Sequence, residues 1–158
     1  DIELNDLRPF QKMIDYGLAG IMPAHVIYPN IDQNPAGFSS TWLQKILRAE
    51  MQFEGCIFSD DLSMRGAADY LESIIMRART ALNAGCDMVL VCNNPQGVDA
   101  LLSQLQWEMS ATSLSRLARM HARNNFGSMT KLRENADYVQ AVREIGSIGC
   151  ENLHLPLQ

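Results

Sequence analysis

No stretch of about 18 consecutive apolar residues occurs in the chain, so no segment reads as a membrane span. No basic-then-apolar leader of the secretory type is seen either. Histidine is scarce, and His25, His121 and His154 stand far from one another and from any cysteine cluster. The four cysteines include no C-x-x-C pair, so neither a zinc site nor a dithiol redox motif is expected. No metal and no cofactor is therefore expected. Positive charge is also in deficit, with 13 Lys and Arg against 18 Asp and Glu. A net charge of −5 gives no general attraction to phosphate backbones or anionic lipid, so neither nucleic acid nor membrane is an expected partner. The strongest local basic group is Arg116, Arg119, Arg123, Lys131 and Arg133, against Glu108. These residues interleave with Leu114, Leu117 and Met120, which predicts the solvated face of an amphipathic helix.

What is present is a chain of 158 residues, 47% hydrophobic and 20% charged, enough for one globular domain with a proper core. No linker rich in Gly, Ser or Pro divides it. Cys56, Cys86 and Cys92 lie within apolar, strand-like stretches, and Cys150 stands alone near the end. Buried thiols in a reducing compartment are the expectation, and with it a cytoplasmic location.

One arrangement occurs three times, in "MIDYGLAGIMPAHVIYP", "RAEMQFEGCIFSDDLSM" and "TALNAGCDMVLVCNNPQ". A helix-like stretch gives way to glycine, then to a short apolar run ending in a polar cluster. The clusters are Pro23, Ala24 and His25; Ser59, Asp60 and Asp61; and Cys92, Asn93 and Asn94. Such a repeat is an αβ unit. Thr41 followed by Gln44 predicts a capping box, after which Leu43, Ile46, Leu47 and Met51 form an apolar stripe while Lys45, Arg48 and Glu50 face away. Leu71, Ile74, Ile75, Ala78 and Leu82 predict the next helix, ended by Gly85. An earlier helix carries Leu7, Phe10 and Ile14, with Pro9 tolerated in its first turn.

Strands joined by helical crossovers lie parallel and are covered on both faces, so they read as near-continuous apolar runs such as "DMVLVC". The class is α/β, and the carboxyl ends of such strands gather functional residues at one face. All three polar clusters fall there. Alternation along the middle strand puts Phe58 and Asp60 on one side and Ser59 and Asp61 on the other. One aspartate should therefore point into the mouth of the site and its neighbour into the supporting shell. After Gln96 the pattern turns to helices, with Trp42 and Trp107 both placed on helices as packing residues. The closing "CENLHLPLQ" reads as a tail or docked extension. Residues 1–106 are expected to carry the strands, and 107–158 a helical extension of the same domain.

"GCIFSDDLSMRGAA" resembles the nucleophile segment of the family-three glycoside hydrolases. "IMPAHVIYP", "PAGFSSTWLQKILR" and "AGCDMVLVCNN" are similar to its bacterial β-N-acetylglucosaminidase branch, which trims N-acetylglucosamine from recycled cell-wall (muropeptide) fragments. The resemblance implies a (β/α)₈ barrel with "GIMPAHV", "CIFSDDL" and "DMVLVCN" as its last three strands. It also implies that Asp60, the first aspartate of the motif, is the nucleophile attacking the anomeric carbon. The family's "KHFPGHG" stretch and the Asp-x-His acid/base loop do not occur in the chain, and no histidine here has an Asp two residues before it. The expectation is a C-terminal part of a longer enzyme, inactive alone and ordered when the missing half or a second copy covers its sheet edges.

Beside Asp60, His25 is a candidate for the sugar pocket, against the plainer reading of a bond to Tyr28 within its loop. Asp61 is a supporting candidate that either orients a loop or caps the following helix. Asn93 and Asn94 read as a turn before Pro95, and Met22 and Met64 as packing beside the same face. Two other functions stay open. One is a non-catalytic half-barrel that only complements a missing half. The other is a different barrel enzyme such as an aldolase, for which no strand-end lysine or glycine-rich phosphate loop speaks.

Overall fold

A computed structural model describes residues 5–122 and 127–148. They fall into two compact units, Asp1–His121 and Ala122–Gln158. The first holds a parallel sheet of three strands, β1 (Gly20–Ile21), β4 (Cys56–Asp61) and β5 (Met88–Leu90), in the order β1-β4-β5. A separate antiparallel hairpin pairs β2 (Ile27–Tyr28) with β3 (Asp32–Pro35). Around them lie α1 (Arg8–Asp15), α2 (Arg65–Ala68), α3 (Ile74–Ala84), α4 (Pro95–Gln104) and α5 (Ala111–Arg119). The β1-to-β4 crossover is a ten-residue helix, Thr41–Glu50, wound in the wider π form. The β4-to-β5 crossover is α3, and both return the chain to the same end of the sheet, as parallel pairing requires.

The core lies between the sheet and these crossovers. Phe53, Leu43, Ile57 and Leu62 are its largest fully buried side chains, each contributing roughly 1.5–3 kcal/mol by leaving water. Gly85 ends α3 at φ 125°, as the sequence predicts. A Cβ there would sit 1.9 Å from Gln44 Nε2, so close helix-end packing also demands glycine. An apolar cavity of about 380 Å³ lies beside β1, lined by Phe10, Ile21, Met22, Trp42 and Ile46.

Several expectations are corrected. The π-wound helix has no capping box at Thr41; Ser39 Oγ instead accepts the Trp42 N–H, and Gln44 Nε2 reaches the Ala84 carbonyl. Arg48 does not face away. Its side chain is only 9% exposed and donates to the carbonyls of Phe53 and Gly55 and to Asp87 at 2.7 Å. Burial foremost, and the neighbouring Arg116 charge second, pull its guanidinium pKa below the ordinary value. Arg116 likewise turns inward to Asp87 and Glu54 in place of lining a solvated face, while Lys131 and Arg133 belong to another helix. Trp42 is buried on its helix, but Trp107 lies in the connection between α4 and α5. The second unit consists of α6 (Met129–Glu134) and α7 (Ala136–Ser147), with Asn135 ending one and capping the other through the Tyr138 N–H. Arg123, Cys150, His154 and the closing residues 150–158 lie outside the described residues.

Candidate active site

The site forms where β4 runs out. Phe58 pairs with Met88 and Asp61 with Leu90, so β4 uses one residue more than β5 over the same span. This bulge interrupts the ladder between Phe58 and Asp61, beside Asp60, the kind of feature often found next to active sites. Ser59, fully buried, repairs part of the gap, its Oγ accepting the Leu90 N–H at 3.0 Å. Asp60 is partly exposed at the carboxyl tip of the strand. One of its oxygens accepts the Asp61 N–H at 2.8 Å, and the other has no partner among the described residues.

Asp61 does a different job from its neighbour. Its Oδ1 accepts the N–H of Ser63 at 2.8 Å and that of Cys92 at 2.9 Å, tying the end of β4 to the chain leaving β5. Its carbonyl lies 3.1 Å from His25 Nε2, which brings in the loop leaving β1. All three polar strand tips therefore meet at residue 61. Capping of the following helix, considered for Asp61 from the sequence, is not realised: Met64 occupies that position and makes no side-chain cap bond.

His25 meets a carbonyl, so in its neutral form Nε2 carries the proton and Nδ1 is the buried, unpartnered acceptor. The ring stacks on Phe38 at 5.0 Å, and Phe38 on Tyr70 at 5.4 Å. Tyr70 donates to Asn34 Oδ1 on the hairpin. The expected bond from His25 to Tyr28 does not form, because the hairpin carries Tyr28 onto Trp42, 5.1 Å between rings. His25 thus supports the end of β4 from the side. Asn94 turns the chain as expected and also caps α4, accepting the Gly97 N–H, while Asn93 takes a left-handed φ of 53°. Met22 and Met64 are about half exposed.

Two groups went unread in the sequence. Asp32 holds the hairpin, accepting from the Asn34 backbone and amide and from Ser39 Oγ at 2.6 Å; the Ser39 hydroxyl foremost keeps its carboxyl below the ordinary 3.8. Arg77, buried on α3, donates to the carbonyls of Leu62, Leu71 and Glu72. Its signal was an arginine beside Ile74, Ile75 and Ala78, on the face that packs inward, where Arg79 of the same helix does not fall.

The family model for the glycosyl hydrolase family 3 N terminal domain matches residues 1–120. The chain belongs to glycosyl hydrolase family 3. Beta-hexosaminidase from Nitrosospira multiformis is 56% identical over 156 residues, covering 99% of this chain and 44% of its own length. The beta-hexosaminidase of Nitrosomonas eutropha is 56% identical over 97% of this chain and again 44% of its own. The chain thus spans less than half the length of the curated relatives it matches. Among solved structures, native NagZ from Neisseria gonorrhoeae superposes with a TM-score of 0.74 at 37% identity, covering 93% of this chain and 41% of that one. The same protein has also been solved with N-trifluoroacetyl-D-glucosamine, at the same TM-score and identity. Membership of family 3 is what "GCIFSDDLSMRGAA" and its companion segments implied, and the α/β class with a parallel sheet agrees with these neighbours.

Proposed function

We propose that this chain is the nucleophile-bearing part of a retaining β-N-acetylglucosaminidase, with Asp60 as nucleophile. The observation that carries the reading is the state of Asp60: partly exposed at a bulged strand tip, one oxygen steadied by a backbone N–H and the other unengaged among the described residues. A carboxylate so placed, with one oxygen held and the other open, is free to attack. Its oxygen forms a bond to the anomeric carbon as the glycosidic C–O bond breaks, and the departing oxygen takes a proton from an acid about 5 Å away. Water then attacks the same carbon and gives its proton to that group, now a base, while the Asp60 carboxylate departs. Two displacements at one carbon restore the original configuration.

The acid/base pair of the family, an Asp-x-His loop, has no counterpart in these 158 residues, so the chain alone does not turn over substrate. The three parallel strands are the last three of a (β/α)₈ barrel, and the missing half or a second copy covers the sheet edges at β1 and β5. Likeness to the recycling branch of the family supports a cytoplasmic enzyme that releases terminal β-linked N-acetylglucosamine from muropeptides. Asp61 is the supporting residue that keeps the strand tips together.

The test exchanges the matching part of the Nitrosospira multiformis protein for this chain and assays a chromogenic β-N-acetylglucosaminide. Activity that falls by roughly three orders of magnitude or more in Asp60→Asn supports the reading. So does a fluorinated, slow-turnover substrate trapped as an ester on the Asp60 peptide. A folded chimera without activity, or an adduct on another residue, counts against it.

A further inference from the structure

We infer that Arg77 is a positioning residue, whose buried guanidinium fastens both ends of the β4-to-α3 connection and so holds Asp60 at the strand tip. The inference rests on the reading of Asp60 as nucleophile. Arg77 is 8% exposed and has no carboxylate partner among the described residues. Its charge is met by carbonyl dipoles alone: Nη1 reaches Leu62 at 2.7 Å, Nη2 reaches Glu72 at 2.6 Å, and Nε reaches Leu71. A buried cation without a counter-ion is a poor way to stabilise a core, since an apolar side chain of similar volume serves at least as well. What the arrangement supplies is location. Leu62 follows the two aspartates directly and its N–H bonds to the Leu90 carbonyl at 2.9 Å, so one anchor of Arg77 is fixed to the sheet. The other anchors lie beside Tyr70, whose ring stacks on Phe38, which in turn supports His25. Arg77 thus closes a ring of contacts running from the carboxyl tip of β4 through the connection and back to it. Lysine cannot replace it, because one ammonium does not present three donors in a rigid planar fork.

In the chimera described above, Arg77→Met should lower kcat about tenfold to a hundredfold, the scale set by a misplacement of about 1 Å, with KM within about twofold. In the same chimera the substitution should also speed hydrogen exchange at Leu62 and Leu71 while Ile57 keeps its protection. A kcat per folded molecule unchanged from the parent overturns the inference, as does unchanged exchange at Leu62 and Leu71. If Arg77→Met fails to fold, Arg77→Lys is read by the same kcat-against-KM split. Failure of both to fold also overturns it, because the residue then serves the core and not the site. Asp60→Asn separates the two readings: an active Asp60→Asn enzyme sinks the nucleophile assignment, whereas an inactive one beside a fully active Arg77→Met sinks only the positioning role.

Discussion

Removing the Asp87 carboxylate should strongly destabilise the first unit, and the structure sets the size of the effect. Asp87 lies just before β5 with its side chain 1% exposed. It accepts from Arg48 Nη2 at 2.7 Å, the Ile57 N–H at 2.9 Å, Ser113 Oγ at 2.7 Å and Arg116 Nη1 at 3.4 Å. In Asp87→Ala the guanidinium groups of Arg48 and Arg116, 9% and 14% exposed, lose the anion between them. Breaking a buried pair by deleting one partner costs about 3–5 kcal/mol. The orphaned Ile57 N–H belongs to the same event and is not added on top. Against a total stability of about 5–15 kcal/mol, this is a large fraction. With a urea slope of about 2 kcal/mol/M, the unfolding midpoint should fall by about 2 M, followed by the fluorescence of buried Trp42. The double variant Arg48→Met/Asp87→Ala should lose less than its two singles together, by roughly 1–3 kcal/mol. A midpoint shift under about 0.5 M for Asp87→Ala, or strict additivity of the pair, would refute the reasoning.

Three further outcomes can be checked separately. Burial foremost, with the Asp87 carboxylate second, pushes the Cys86 thiol up to about 12, and burial raises Cys56 as well, so alkylation at pH 8 mapped by mass spectrometry should mark exposed Cys92 first and those two only on unfolding. The Asp32 carboxyl is depressed below its ordinary 3.8, so its support of the hairpin is present above the unfolded-state value and is lost as pH falls through the lower folded one; an NMR titration should show that midpoint rising in Ser39→Ala. Gly85→Ala, at φ 125° and against Gln44, should cost about 1–3 kcal/mol in a melting experiment.

The parallel sheet was legible because glycine, apolar run and polar cluster recur in register with two crossover helices. Gly85 and the gathering of His25, Asp60 and Asn94 at one face followed from that alone. Arg48 was misplaced for a physical reason: reading at 3.6 residues per turn assigns faces that a π-wound helix, bonding i to i+5, does not keep. The hairpin escaped notice because "IY" and "DQNP" lack the period-two alternation of a strand, and its hold comes from Asp32 side-chain bonds. The bulge at Asp60 leaves no mark in composition, since an extra residue in one strand shows only against its partner. Arg77 is the sharper lesson, as a charged residue on an inward face points to backbone carbonyls as readily as to an acid.

Every pairing within the sheet joins distant parts of the chain, Gly20 with Cys56 and Phe58 with Met88. Among the described residues only β2 and β3 pair as neighbours in sequence, and a hairpin of that kind closes in about 1–10 μs. The sheet has no such shortcut, because loop-closure entropy is spent before any strand pairing rewards it. During synthesis β1 emerges before β4, and β4 before β5, so the edge each turns to the next strand waits unmatched. The order of assembly is therefore written into the topology: a quick local hairpin first, and the slower long-range strand pairings after it.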